Sequence, residues 1–192
     1  MRIMHVIFSR GFGESERYVA ELASVQATAH EVTILLCRNH RSRSGTSIVN
    51  ALSDRVETRT VSTWWRAQHS VDQHIQDFQP DILHTHLRRA SRLIARVDPD
   101  TLAVATLHDN ANGSDCFKLD GVICHANWQV PIPPNYQGRV FELAPLVAPN
   151  HDPASPVVRP RLESASIGFE TPEQVHQTIY ESYVSLIADP PY

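Results

Sequence analysis

The chain has 192 residues, with 17 Lys+Arg against 21 Asp+Glu, a net charge of -4 with histidines neutral, and 42% apolar residues. That length suits one large domain, or one domain with an ordered tail, and the apolar content excludes global disorder. The acidic balance excludes a general nucleic-acid binder, which needs a basic excess on at least one face. Only two of the 13 prolines, Pro80 and Pro99, precede residue 130, and the other eleven crowd the last 62 residues, so a regular body gives way to an irregular tail. Three unevenly spaced cysteines, Cys37, Cys116 and Cys124, make no disulfide framework and fit a reducing cytoplasm. The first residues lack the long apolar region and cleavage site of a signal peptide, and no stretch approaches the roughly 20 apolar residues of a membrane helix. At most a peripheral contact with the inner face of a membrane is expected.

In chain order, Ile3 to Phe8 is a nearly continuous apolar run, as in a strand buried on both faces. Gly11-Phe12-Gly13 breaks it, and apolar residues at 18, 19, 22 and 23 predict a helix with Ser15 as its cap. Val32 to Cys37 is a second buried strand, residues 38–45 a polar basic loop, 46–53 a short helix and Val56 to Val61 a third strand. A helix over 64–78 ends before Pro80-Asp81, and Ile82 to Leu87 is the fourth strand, followed by a helix over 89–97 that stops before Pro99. Leu102 to His108 and Gly121 to Cys124 are the fifth and sixth strands, with a short helix near 126–130, and Arg139 to Leu143 is a seventh. Strands alternating with helices predict an α/β fold, a single Rossmann-like doubly wound parallel sheet of about six or seven strands. After Val147 periodicity is lost. It returns at Thr171-Pro172-Glu173-Gln174, a helix start signal. The helix then runs to about Ile187 with Val175, Ile179, Tyr183 and Leu186 on one stripe, which must dock on the body or on a partner.

In a doubly wound sheet, ligands bind beyond the carboxyl ends of the strands. The turn after the first strand carries Gly13, Glu14 and Ser15 ahead of a helix N-terminus that favours anions, though the full dinucleotide fingerprint is absent. The fourth strand ends in His84-Thr85-His86, two imidazoles on one face. Two ligands do not make a metal set, and no carboxylate or cysteine at suitable spacing completes one, so no metal is expected. The fifth strand ends in His108-Asp109, suited to hydrogen-bonding a phosphate or a sugar hydroxyl. Arg88, Arg89, Arg92 and Arg96 make a basic helical face, read as solvated or as meeting anionic lipid or a phosphorylated acceptor. Trp64 and Trp65 open a helix and could equally pack there or anchor at a membrane interface.

Taken together, three strand ends resemble family 4 glycosyltransferases. Gly13-Glu14-Ser15-Glu16-Arg17-Tyr18-Val19-Ala20-Glu21-Leu22-Ala23 is similar to that family's Gly-Gly-x-Glu-Arg-x-Val-x-x-Leu-Ala opening. Pro80-Asp81-Ile82-Leu83-His84-Thr85-His86 resembles its Pro-Asp-apolar-apolar-His-x-His segment, and Ala105-Thr106-Leu107-His108-Asp109 its Thr-x-His-Asp strand end. Order and spacing agree over about residues 1–147. The resemblance implies a GT-B fold of two facing Rossmann-like domains, retaining and metal-independent sugar transfer, and a nucleotide sugar as co-substrate with no other cofactor. It implies an envelope glycan or glycolipid as acceptor. By the match, Gly13, Glu14, Ser15 and Asp109 border the donor, His108 is the catalytic position at the transferred sugar, and His84, His86 and Arg88 border the acceptor.

Two departures temper that match. Glu14 replaces a glycine where room is normally left for a diphosphate. The second, donor-binding domain has no counterpart, and Glu173 and Glu181 have the spacing of its paired glutamates but not their context. The expected organisation is therefore a domain over 1–147, a proline-rich bridge over 148–170, and a helix over 171–188 packing back on the domain. Function then divides between a glycosyltransferase, acting alone or with a donor-domain partner or a second copy, and a non-catalytic module that binds acceptor or partner.

Overall fold

The computed structural model describes residues 1–38, 47–61, 67–97, 99–108, 114–125, 131–143 and 172–191. Seven strands, β1 (Arg2–Ile7), β2 (Glu31–Cys37), β3 (Glu57–Val61), β4 (Ile82–His86), β5 (Ala103–Thr106), β6 (Gly121–His125) and β7 (Arg139–Leu143), form one sheet in the order β3-β2-β1-β4-β5-β6-β7. All six pairings are parallel. The apolar runs of β1, β2 and β4 occupy the middle of the sheet, where both faces are covered. The more polar β3 and β7 are its edges, as suits strands whose outer ladder groups meet no partner strand.

Among the described residues, four helices clothe the sheet: α1 (Glu14–Gln26), α2 (Ala67–Phe78), α3 (Leu87–Val97) and α4 (Pro172–Ala188). Period-2 alternation sorts the strand side chains between two cores. Ile3, Ile7, Ile34, Ile82, Val104 and Ile123 pack with α1 and α4 on one face. Met4, Val6, Leu35, Leu83, Ala105 and Val122 pack with α2 and α3 on the other.

Several boundaries differ from the sequence expectation. The α1 cap is Gly13 rather than Ser15: its extended backbone ends the loop one residue before the helix, and Glu16 Oε2 accepts the Gly13 N–H at 2.8 Å. Glu16 thereby satisfies a donor that the helix start leaves open. The short helix expected over 46–53 is a 3₁₀ turn at Ile48–Ala51 capped by Ser47, whose Oγ accepts from Val49 N at 3.3 Å. α3 begins directly after β4, with Leu87 at φ 67, a left-handed conformation that costs a bulky residue roughly 1–3 kcal/mol. This junction turns the chain without any loop. The basic loop at 39–45, Trp64 and Trp65, the helix near 126–130, the bridge over 148–170 and the Thr171 cap lie outside the described residues.

α4 lies on the α1 face of the sheet. Val175, Ile179, Tyr183 and Leu186, at successive spacings of four, four and three, are buried there. Gly121 in β6 permits the close approach, since a Cβ at that position would stand 3.0 Å from Leu186 Cδ1 and 3.2 Å from Val104 Cγ2. Arg139 on β7 fastens the far end, donating to Ser185 Oγ at 2.7 Å and pairing with Asp189. Ile179→Ala should therefore cost about 2–5 kcal/mol, while Val184→Ala, at an exposed position, should stay within roughly 0.5 kcal/mol. Urea-unfolding midpoints of the two variants check this, and equal effects would mean that α4 is not docked in solution.

Candidate functional site

The strand order reverses between β1 and β4, and at such a switch point the helices leave in opposite directions and open a crevice beyond the strand ends. Four histidines gather beside this point. His5 pairs with His84 in the β1–β4 register, Ile7 with His86, and His86 with Thr106 in β5. His108 lies two residues past Thr106, carried by Leu107, whose N–H still bonds Ile123 O at 2.9 Å. The alternation of strands therefore projects His5, His84, His86 and His108 from one face, the face that α1 and α4 cover.

The rings form one connected hydrogen-bond chain. His108 Nε2 is 3.1 Å from His86 Nδ1, and His86 Nε2 is 3.0 Å from His5 Nδ1. His5 Nε2 is 2.6 Å from Oε1 of Gln26, the last residue of α1. Gln26 Nε2 donates to the Tyr183 hydroxyl of α4 at 3.4 Å. That hydroxyl is 2.5 Å from His84 Nδ1, and His84 Nε2 is 2.6 Å from Thr106 Oγ1. His5, Gln26, His84, His86 and Tyr183 are wholly inaccessible to solvent, whereas His108 is half-buried and brings the chain to the surface. The Tyr18 ring packs edge-on against His108 with centroids 5.2 Å apart, and its buried hydroxyl lies beside Thr106 without a hydrogen bond of normal geometry.

Burial favours the neutral form of the three interior rings, His5, His84 and His86. Desolvation lowers His5 to about 4 despite the opposing bond to Gln26. It holds His84 and His86 well below the usual imidazole range, with repulsion from the neighbouring rings adding to the effect. One nitrogen each from His5, His84 and His86 lie within 4.8 Å of one another, so the structure adds a third imidazole to the pair seen in the sequence. By ligand count that trio could hold a metal ion. Both nitrogens of each ring are already engaged within the protein, however, and a cation would have to break that chain.

The remaining sequence candidates are placed as follows. Gly13 and Glu14 are exposed at the N-terminus of α1, and Ser15 is half-buried in its first turn. His84 and His86 do share a face, with ring centroids 4.1 Å apart, but both lie wholly inside the protein rather than bordering an acceptor surface. Full occupation of their nitrogens by protein groups accounts for that inward position. Arg88 Nε and Arg92 Nε both bond Asp115 Oδ2, at 3.2 and 3.0 Å. Burial of Asp115 works against its charge, but the two guanidiniums prevail and hold the carboxyl below its usual value. Asp109 lies outside the described residues. His5, Gln26 and Tyr183 escape a reading by motif. A histidine within the apolar run of β1 was a signal that a buried partner existed, whereas nothing in the sequence links residue 26 to residue 183.

A family model described as Glycosyltransferase Family 4 matches residues 15–129, more than half of the chain. The chain belongs to glycosyltransferase family 4. Its sheet is that of a GT-B N-terminal domain. UGT2 of Phytolacca americana, solved in complex with UDP-2-fluoro-glucose and pterostilbene, superposes with a TM-score of 0.51 at 11% identity over 78% of this chain. HepE of Anabaena, solved with UDP and glucose, matches at a TM-score of 0.48 and 16% identity over 64% of it. The matched region spans 55% of the length of the first structure and 37% of the second. No curated protein sequence matches the chain. Among the described residues, no helix is long and apolar enough to cross a membrane.

The buried histidines set a pH dependence of stability. Each has a folded pKa below its unfolded value near 6.5, so below that pH the unfolded chain binds more protons than the native one. The stability they allow is fully present above about pH 6.5 and is lost as the pH falls towards His5's value of about 4. Denaturant midpoints should be flat from pH 8 to 7 and fall steadily from 6.5 to 4.5. A midpoint unchanged across the lower range would contradict the neutral, buried state of the three rings.

Proposed function

We propose that this chain is the acceptor-side domain of a retaining glycosyltransferase that moves a sugar from a nucleotide sugar to an envelope glycan or glycolipid. The observation that carries the reading is His108: it is the half-exposed member of an otherwise buried chain, at the carboxyl end of β5, in the crevice beside the switch point. Tyr18 packs against one side of its ring and His86 holds its Nε2, so its orientation is set before any ligand arrives. A positioned imidazole there suits a hydrogen bond to the transferred sugar or its phosphate, while the free N–H groups at the start of α1, beside Gly13, suit a diphosphate. Arg88 and the outer rim of α3 lie towards the acceptor. The remaining donor contacts are assigned to a further domain or a partner chain, because the region that matches UGT2 spans only 55% of that enzyme. Contact with an inner membrane surface is at most peripheral on this reading.

Titration calorimetry with common nucleoside diphosphate sugars, alone and with acceptor extracts, should show saturable binding that His108→Ala weakens about tenfold, the loss of one hydrogen bond to a charged group. Absence of binding to every donor would overturn the reading.

A second reading, a non-catalytic module that keeps the fold and binds acceptor or partner, is favoured by one residue. Glu14 places an exposed carboxylate in the first turn of α1, where a diphosphate would sit. Like charges about 4 Å apart at the surface repel by roughly 1–4 kcal/mol, depending on the local dielectric. Glu14→Gly should therefore tighten donor binding at least several-fold if the loop is a donor site. Unchanged affinity would remove the loop from the site and leave the module reading in place.

A further inference from the structure

A ligand-facing His108 does not require three further imidazoles, a glutamine and a tyrosine buried behind it. We propose that Gln26 and Tyr183 are positioning residues that decide which nitrogen of His108 carries the proton, acting through a single chain in which all four histidines share one tautomer. The consequence for ligand binding rests on the reading of His108 given above, whereas the chain itself does not.

The inference follows from counting donors and acceptors. A neutral imidazole has one of each, a side-chain amide has donors on nitrogen and acceptors on oxygen, and a phenol can do both. With Gln26 Oε1 towards His5, His5 Nε2 must donate and its Nδ1 must accept. His86 then donates from Nε2 and accepts at Nδ1, so His108 donates from Nε2. On the other side, Gln26 Nε2 donates to Tyr183, Tyr183 donates to His84 Nδ1, and His84 Nε2 donates to Thr106 Oγ1. All four rings are then Nε2–H. Turning the Gln26 amide over reverses every bond and makes all four Nδ1–H. Along His5, His86 and His108 any mixed pattern sets two donors or two acceptors face to face, and on the other branch an Nδ1–H His84 beside a donating Gln26 leaves the buried Tyr183 O–H without an acceptor.

Gln26 is thus the joint of the chain, and Tyr183 ties that joint to α4. This orientation directs the proton of neutral His108 inward and makes its Nδ1 an acceptor. It also suits His108 once protonated, because His86 Nδ1 still offers a lone pair. The reversed chain would make neutral His108 a donor at Nδ1 instead. One amide, two rings away in the interior, therefore biases which nitrogen of His108 carries the proton.

The test is long-range ¹H–¹⁵N correlation of the histidine ring nitrogens in the full chain at pH 7.5, followed by the same spectra of Gln26→Leu and Tyr183→Phe. In the wild type, His5, His84, His86 and His108 should show one common tautomer, expected to be Nε2–H. A mixed set, or a cationic ring among the three buried ones, overturns the proposal. In the variants, His108 should acquire a detectable population of the other tautomer while the amide spectrum stays native. A His108 unchanged in a folded Gln26→Leu chain also overturns it. Should the variants fail to fold, the wild-type pattern decides alone. A common tautomer in a protein that binds no nucleotide sugar would overturn the proposed function and leave this inference standing.

Discussion

Burial of polar groups constrains this molecule more tightly than burial of its apolar ones. Around β1, β4 and β5, hydrocarbon side chains supply the driving force, and many exchanges of similar volume would preserve it. The hydrogen-bond chain tolerates less, because every imidazole nitrogen from His5 to His86 has lost its water and must meet a protein group at bonding distance. A displacement of α1 or α4 by one helical turn would keep much of the apolar contact, yet it would carry Gln26 or Tyr183 away and strand several buried donors. The sheet, α1 and α4 are held in register by that requirement.

The same constraint connects the terminal helix to the crevice. Tyr183 sits among Val175, Ile179 and Leu186 on the buried stripe of α4, and its ring supplies apolar contact while its hydroxyl joins the chain. An element far along the sequence thereby supports residues at the ends of β4 and β5. On the opposite face the polar content is smaller and local: Thr85 Oγ1 meets Ser91 Oγ at 2.9 Å, and α2 and α3 otherwise cover the sheet with apolar side chains. The two faces are thus unequal, one a plain core and the other a core threaded by hydrogen bonds that surface at His108.

Much of the architecture was legible in the residue order. The apolar runs of β1, β2 and β4 and the break at Pro80 placed strands within a residue or two, because a parallel strand buried on both faces has little freedom of composition. The α1 cap was misread, since a serine near a helix start is the commoner cap, whereas Gly13 serves here through the Glu16 carboxylate. The pair His84 and His86 was legible from its spacing of two, and the surroundings were not. Whether those rings faced a ligand or the interior depended on His5, Gln26 and Tyr183, which lie 79, 58 and 99 positions from His84. Register between strands and the docking of a helix determine such neighbours, and neither is written in local spacing.

Composition, periodicity and the strand-end motifs by themselves determined the layered α/β sheet, the stripe on α4 and the presence of imidazoles at the carboxyl ends of β4 and β5. These follow from short-range rules, in which the repeat of apolar residues reports the secondary structure and its buried face. Only the tertiary structure decided that three of the four histidines are interior and that a helix 99 positions from His84 completes their bonding. It also showed that one half-buried ring, His108, brings the chain to the surface. The physical reason is that partnership among buried polar groups depends on distances of about 3 Å, which only the assembled packing of sheet and helices establishes.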